Sequence, residues 1–142
     1  MHPVTGSFYN RRNINEYLGF DNFYHGDNFY ESESYLEDSH FLPTIIEGFD
    51  RAKEEGLPYF NYSLTYQNHG PYSREAYHQE DLLGNKGAYD EDLYNIFNNY
   101  LYGVRDTGQE LAKFIDHFRQ EEEPVVIVLF GDHNPWLGEG NS

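Results

Sequence analysis

The sequence predicts an α/β layered fold built on a mainly parallel sheet. Two observations carry that expectation. The run VVIVLF at 125–130 is the most apolar in the chain, and a long stretch of helical period, 91–119, stands before it. Upstream, the same order occurs once already, with a helical pattern at 38–55 leading into an alternating segment at 57–66. Helix, strand, helix, strand is the order that lays helices on a parallel sheet.

Taken in order, the first ~35 residues mix aromatics with Gly, Asn and Asp and show no sustained period. They are expected to form loops around one short helix near RRNINEYLG, stopped by Gly19. In DSHFLPTIIEGFDRAKEE, Phe41, Ile45, Phe49 and Ala52 share one helical face, and Gly56 follows as a C-terminal cap. LPYFNYSLTYQNHGPY then alternates, with Tyr59, Asn61, Ser63 and Thr65 on one side and Phe60, Tyr62, Leu64 and Tyr66 on the other, as a strand ending in a loop.

The polar segment from Ser73 to Asp90 reads as a mobile surface loop. Leu93, Ile96, Phe97, Tyr100, Val104, Leu111, Phe114, Ile115 and Phe118 then recur at intervals that favour a long helix, with a bend expected near Gly103 or Gly108. EEEP ends it, and VVIVLF suits a strand buried on both faces, as a parallel sheet requires. No internal repeat or linker is visible, so one domain over 1–142 is expected.

Composition narrows the function. Asp and Glu number 25 against 9 Lys and Arg, a formal charge of -16, which argues against nucleic-acid binding through phosphate neutralisation. With 14 Tyr, 11 Phe and a Trp, the chain has more aromatic mass than a disordered acidic segment carries. The absence of cysteine excludes disulfide and thiolate chemistry. No apolar run is long enough for a transmembrane helix and the N-terminus lacks a signal-peptide core, so the chain itself is expected to be soluble.

Ligand sites in open parallel sheets lie beyond the carboxyl ends of the strands. There the chain places GDH: Gly131 lets the backbone leave the sheet, and Asp132 and His133 offer an oxygen and an imidazole nitrogen to a divalent metal. The plainer reading is that Asp132 caps the following turn. TYQNHGPY ends the other strand in His69, so the two strand ends are expected to face each other across a cleft; the plainer reading is a loop histidine bonded to a backbone carbonyl. Arg11 and Arg12 form a scarce cationic pair suited to a phosphate or sulfate, or to an ordinary surface ion pair. Acidic runs such as ESESYLED, YDED and EEE are solvated faces, since no calcium-loop spacing is present.

Three blocks in order, HPVTGSFYNRRNINEYLGFDNFY, PYFNYSLTYQNHGPY and VVIVLFGDHNPWLG, resemble the lipoteichoic acid synthase family, phosphoglycerol transferases of the sulfatase and alkaline-phosphatase-like superfamily. The resemblance implies the layered α/β/α fold of that superfamily. It implies a catalytic domain on the extracellular face of the bacterial membrane, tethered by transmembrane helices. It also implies one divalent ion, usually Mn2+ with Mg2+ or Zn2+ as alternatives, and glycerol phosphate taken from phosphatidylglycerol by a threonine. Asp132 and His133 resemble the metal ligands, His69 the catalytic histidine beside the reacting phosphate, and His2, Tyr9 and Arg11 the glycerol-phosphate pocket.

In the family the nucleophilic threonine and a metal-binding glutamate precede the histidine-proline block, with which this chain opens. Thr5, Thr44, Thr65 and Thr107 fall in other blocks. The resemblance therefore implies a partial catalytic domain over 1–142, with weak metal affinity, no turnover alone and a tendency to self-associate. Two other functions fit the residues. One is an ester hydrolase of the same superfamily, of sulfatase or phosphatase type. The other is a non-catalytic glycan-binding module using the tyrosine-rich surface.

Overall fold

The computed structural model describes residues 1–28 and 37–138, and the chain forms two compact units, Met1–Gln67 and Asn68–Ser142. The last part of the expected N-terminal loop region, most of ESESYLED, and the residues after Gly138 lie outside the described ones.

In the first unit, α1 spans Arg11–Tyr17 and α2 spans Asp38–Glu54. Gly19 stops α1 as expected: it takes φ 83, where a side chain would be strained, and its N–H closes on Glu16 O. α2 buries Phe41, Leu42 and Ile45 on one face and carries basic Arg51 and Lys53 in its last turn, favourable to the helix dipole. Gly56, at φ 68, ends α2 in a Schellman motif: Leu57 N donates to Ala52 O at 2.8 Å and Gly56 N to Lys53 O at 3.0 Å.

The expected strand over 57–66 keeps its alternation only over 59–63, Thr65 facing outward with Leu64 and Tyr66 half-buried, and it joins no ladder among the described residues. Side chains two apart bond to one another, Asn61 Nδ2 to Tyr59 Oη at 3.0 Å and Ser63 Oγ to Asn61 Oδ1 at 2.5 Å, because an extended chain puts i and i+2 on one face. The outward face is aromatic, with Phe60 78% exposed. Backbone pairing is confined to short contacts. Leu64 N donates to Met1 O at 3.1 Å, His2 N to Tyr24 O at 3.0 Å, and His2 and His25 form an isolated parallel bridge.

The second unit is organised by α3, Glu91–Phe118, whose N-terminus is capped by Asp90 Oδ1 accepting from Leu93 N at 2.9 Å. The helix runs unbroken through Gly103 and Gly108, where a bend was expected. Its buried residues include two asparagines that periodicity alone does not flag. Asn98 Oδ1 accepts from Leu82 N at 2.9 Å and Leu83 N at 3.3 Å, while its Nδ2 donates to Glu80 O. Asn95 Nδ2 holds Arg74 O, and Asn99 Nδ2 holds Ser73 O and Glu75 O. The segment expected to be a mobile loop is thus laced to α3 by side-chain amides that replace a ladder.

VVIVLF differs most from expectation. Among the described residues it has no ladder partner and is not buried on both faces: Val126 is 87% exposed and Val128 74%. Local pattern gives a segment its apolar character, but burial of a strand comes from neighbouring strands, and none among the described residues reaches it.

Candidate functional site

Within the second unit, α3 fixes the loop that carries His69. Asn68 Nδ2 donates to Thr107 Oγ1 at 2.8 Å, and Tyr72 Oη donates to Asn68 O at 2.5 Å while its ring meets Tyr100 edge-on at 5.4 Å. Burial pushes the Tyr72 hydroxyl above its ordinary pKa. Gly103 makes this approach possible, since a Cβ there would run into Asn68 Oδ1.

The loop sets the His69 ring against that of His133, edge to face, with centroids 5.9 Å apart. The two histidines are brought together, although neither stands at the end of a strand among the described residues. In each, Nδ1 lies against a backbone carbonyl, Gly70 O at 2.6 Å for His69 and Asn134 O at 3.0 Å for His133. A carbonyl only accepts, so each Nδ1 carries the proton and each Nε2 presents its lone pair.

Asp132 Oδ1 accepts from His133 N at 2.9 Å, while Oδ2 lies 3.7 Å from His133 Nε2. Two donors sharing one divalent ion at ordinary bond lengths sit roughly 3–4 Å apart, and a carbonyl on the far imidazole nitrogen is the usual way of orienting a metal-binding histidine. The spacing of the pair therefore fits two donors to one divalent ion. His69, Asp132 and His133 are all exposed.

In the first unit, His2 is buried, 6% exposed, and Val4 N donates to its Nδ1 at 3.2 Å, which leaves Nε2 as the protonated nitrogen. Its ring stacks on Phe8 at 5.8 Å, and Phe8 meets Tyr9 edge-on at 4.5 Å. Tyr9 and Asn10 are consecutive left-handed residues, φ 49 and 55, which turn the chain out of a 3-10 turn into α1 and leave the Tyr9 ring exposed. Two such residues side by side mark a strained turn of the kind that concentrates at functional sites. Arg11 opens α1 with its Nε buried and without a hydrogen-bond acceptor among the described residues. A buried guanidinium donor in that state suits an anion.

His25 was missed by sequence reasoning. It is 7% exposed, pairs with His2 on the parallel bridge, and its Nε2 lies 3.1 Å from Arg12 Nη2. Since arginine only donates, Nε2 accepts. Gly6 permits the contact, because a Cβ there would press on the His25 ring. YHGD offers no spacing from which this could be read; it depends on a pairing distant in sequence.

His2, Tyr9 and Arg11 belong to the first unit, and His69, Asp132 and His133 to the second. The sulfatase family model matches residues 1–142, the entire chain. A Rhizobium meliloti protein named for cyclic β-1,2-glucan modification is 28% identical over 140 residues, covering 96% of this chain and 21% of that protein. A lipoteichoic acid synthase of Staphylococcus saprophyticus is 25% identical over 140 residues, covering 94% of this chain and 20% of its own length. Lipoteichoic acid synthase 1 of Bacillus subtilis is 23% identical over 138 residues, covering 94% and 21% respectively. No solved structure matches.

The chain belongs to the sulfatase family, an enzyme family of alkaline-phosphatase-like α/β fold whose members are generally metal-dependent. It spans about a fifth of the length of the curated relatives it matches. No helix among the described residues is long and apolar enough to cross a membrane.

Proposed function

We propose that this chain carries the substrate-binding and part of the metal-binding machinery of a phosphoglycerol transferase, one that takes glycerol phosphate from phosphatidylglycerol at the outer face of a bacterial membrane. The observation that carries the reading is the His69–His133 contact with Asp132 Oδ2 turned toward His133 Nε2. The lipoteichoic acid synthase relatives favour transfer over hydrolysis.

A divalent cation, Mn2+ in this reading, supplies positive charge to the phosphate oxygens when bound. Asp132 and His133 would hold it. His69, its Nδ1–H fixed on Gly70 O, works through Nε2: protonated, it gives a proton to the departing diacylglycerol oxygen, and unprotonated it receives one from the incoming hydroxyl. Arg11 clamps non-bridging phosphate oxygens through its buried Nε–H, His2 donates from Nε2, and the exposed ring of Tyr9 borders the glycerol. No threonine of this chain is assigned the nucleophile's role.

A second reading concerns the acceptor. The Rhizobium relative is named for a glucan, which favours a carbohydrate acceptor over water. The test uses the native protein that bears this sequence, with release of glycerol phosphate from phosphatidylglycerol vesicles as readout. His69→Ala is expected to reduce turnover by about 100-fold or more; full activity in that variant would remove His69 from the mechanism.

A further inference from the structure

The first unit contains an open cavity of about 830 Å3 that none of the proposed roles uses. Its size is that of a small-molecule site. Five aromatic residues line it: Phe20, Tyr24, Tyr59, Phe60 and Tyr62. Phe20 and Phe60 lie nearly parallel, 19° apart with centroids at 5.7 Å, and the chain leaves Phe60 78% exposed at the cavity. Tyr59 is fixed from both sides, its hydroxyl donating to Ile45 O at 3.3 Å and accepting from Asn61 Nδ2 at 3.0 Å. Gly48 lets that hydroxyl settle against α2, since a Cβ would meet it at 2.5 Å.

The polar lining decides between ligands. Asp21, Glu47 and Glu55 bring three carboxylates against the single guanidinium of Arg51, so the cavity repels phosphate, sulfate and acidic sugars. A purely apolar guest would leave those carboxylates and the Asn22 amide desolvated without partners. A neutral ring with an apolar C–H face and a rim of hydroxyls satisfies both sets: the face lies on Phe60 and Phe20, and hydroxyls donate to carboxylates and exchange hydrogen bonds with amides.

We propose that this cavity is a binding site for a neutral carbohydrate. That it seats the acceptor of the transfer reaction rests on the function proposed above; binding itself does not. The test is titration of the intact chain with cellobiose and with sophorose, neutral glucose disaccharides, followed by saturation-transfer NMR and calorimetry, with glycerol 3-phosphate as the competing anion. Saturable millimolar binding is expected for at least one disaccharide, about tenfold weaker in Phe60→Ala and in Glu47→Gln, and indifferent to glycerol 3-phosphate and to Asp132→Ala. Both substituted side chains are exposed, so an unchanged melting curve certifies the fold of each variant. Absence of saturation, equal affinity in Phe60→Ala, or displacement by glycerol 3-phosphate would each overturn the proposal. Carbohydrate binding in a protein whose native form releases no glycerol phosphate would uphold this site and refute the transferase reading.

Discussion

The imidazole rings of His69 and His133 meet edge to face at 5.9 Å, and each is tethered through Nδ1 to a backbone carbonyl of the residue that follows it. The same tautomer at both positions makes each Nε2 the acceptor nitrogen of its ring. In the transfer proposed above, one imidazole is a metal ligand and the other moves a proton.

Manganese binding follows from the first of these. Titration of the chain with Mn2+, read by electron paramagnetic resonance, is expected to show weak binding that disappears in the Asp132→Ala, His133→Ala double variant. Retention of the signal in that variant would discard both ligands.

Two glycines in one helix give opposite outcomes. Gly103→Ala places a methyl group on Asn68 Oδ1 and is expected to destabilise the unit by about 1–2 kcal/mol, overpacking outweighing the better helix propensity. It should also shift the His69 ring resonances. Gly108 has nothing nearby, so Gly108→Ala is expected to stabilise by about 0.5–1 kcal/mol. Chemical denaturation of the two variants side by side checks the sign of each.

Asn98 is 3% exposed and satisfies three backbone groups of the 80–83 segment. Asn98→Ala is expected to cost about 2 kcal/mol and to speed hydrogen exchange at the Leu82 and Leu83 amides. Exchange unchanged at those two amides would show that the segment is held by other means.

Alkaline pH should weaken the same unit. The hydrogen bond between Tyr94 and Asp81, followed by burial, raises the Tyr94 pKa from 10.0 to about 12. A raised pKa means that the folded state favours the protonated hydroxyl. The associated stability is complete below pH 10 and is lost as pH climbs from 10 toward about 12. Melting temperature measured across that window should fall less steeply in Tyr94→Phe.

Legibility of the fold followed the range of the forces involved. The stop at Gly19, the cap at Gly56 and the apolar faces of α2 and α3 are local consequences of backbone freedom and helical period, and the sequence displays them. Asn95 and Asn98 were invisible because a polar residue on a helix ordinarily faces water; only the loop laid across α3 buries them. VVIVLF announces its need for cover but not what provides it. At the site, His69, Asp132 and His133 stood out through their places at segment ends, whereas His25 depends on pairing with His2 across the intervening chain.

The paired left-handed residues Tyr9 and Asn10 act as a chirality filter on sequence drift. Asparagine, aspartate and glycine pass at position 10, while valine, isoleucine or threonine would have to unwind the turn that presents the Tyr9 ring. A candidate relative can therefore be sorted at that one position: a branched residue there signals a rebuilt turn, however well the histidines on either side agree.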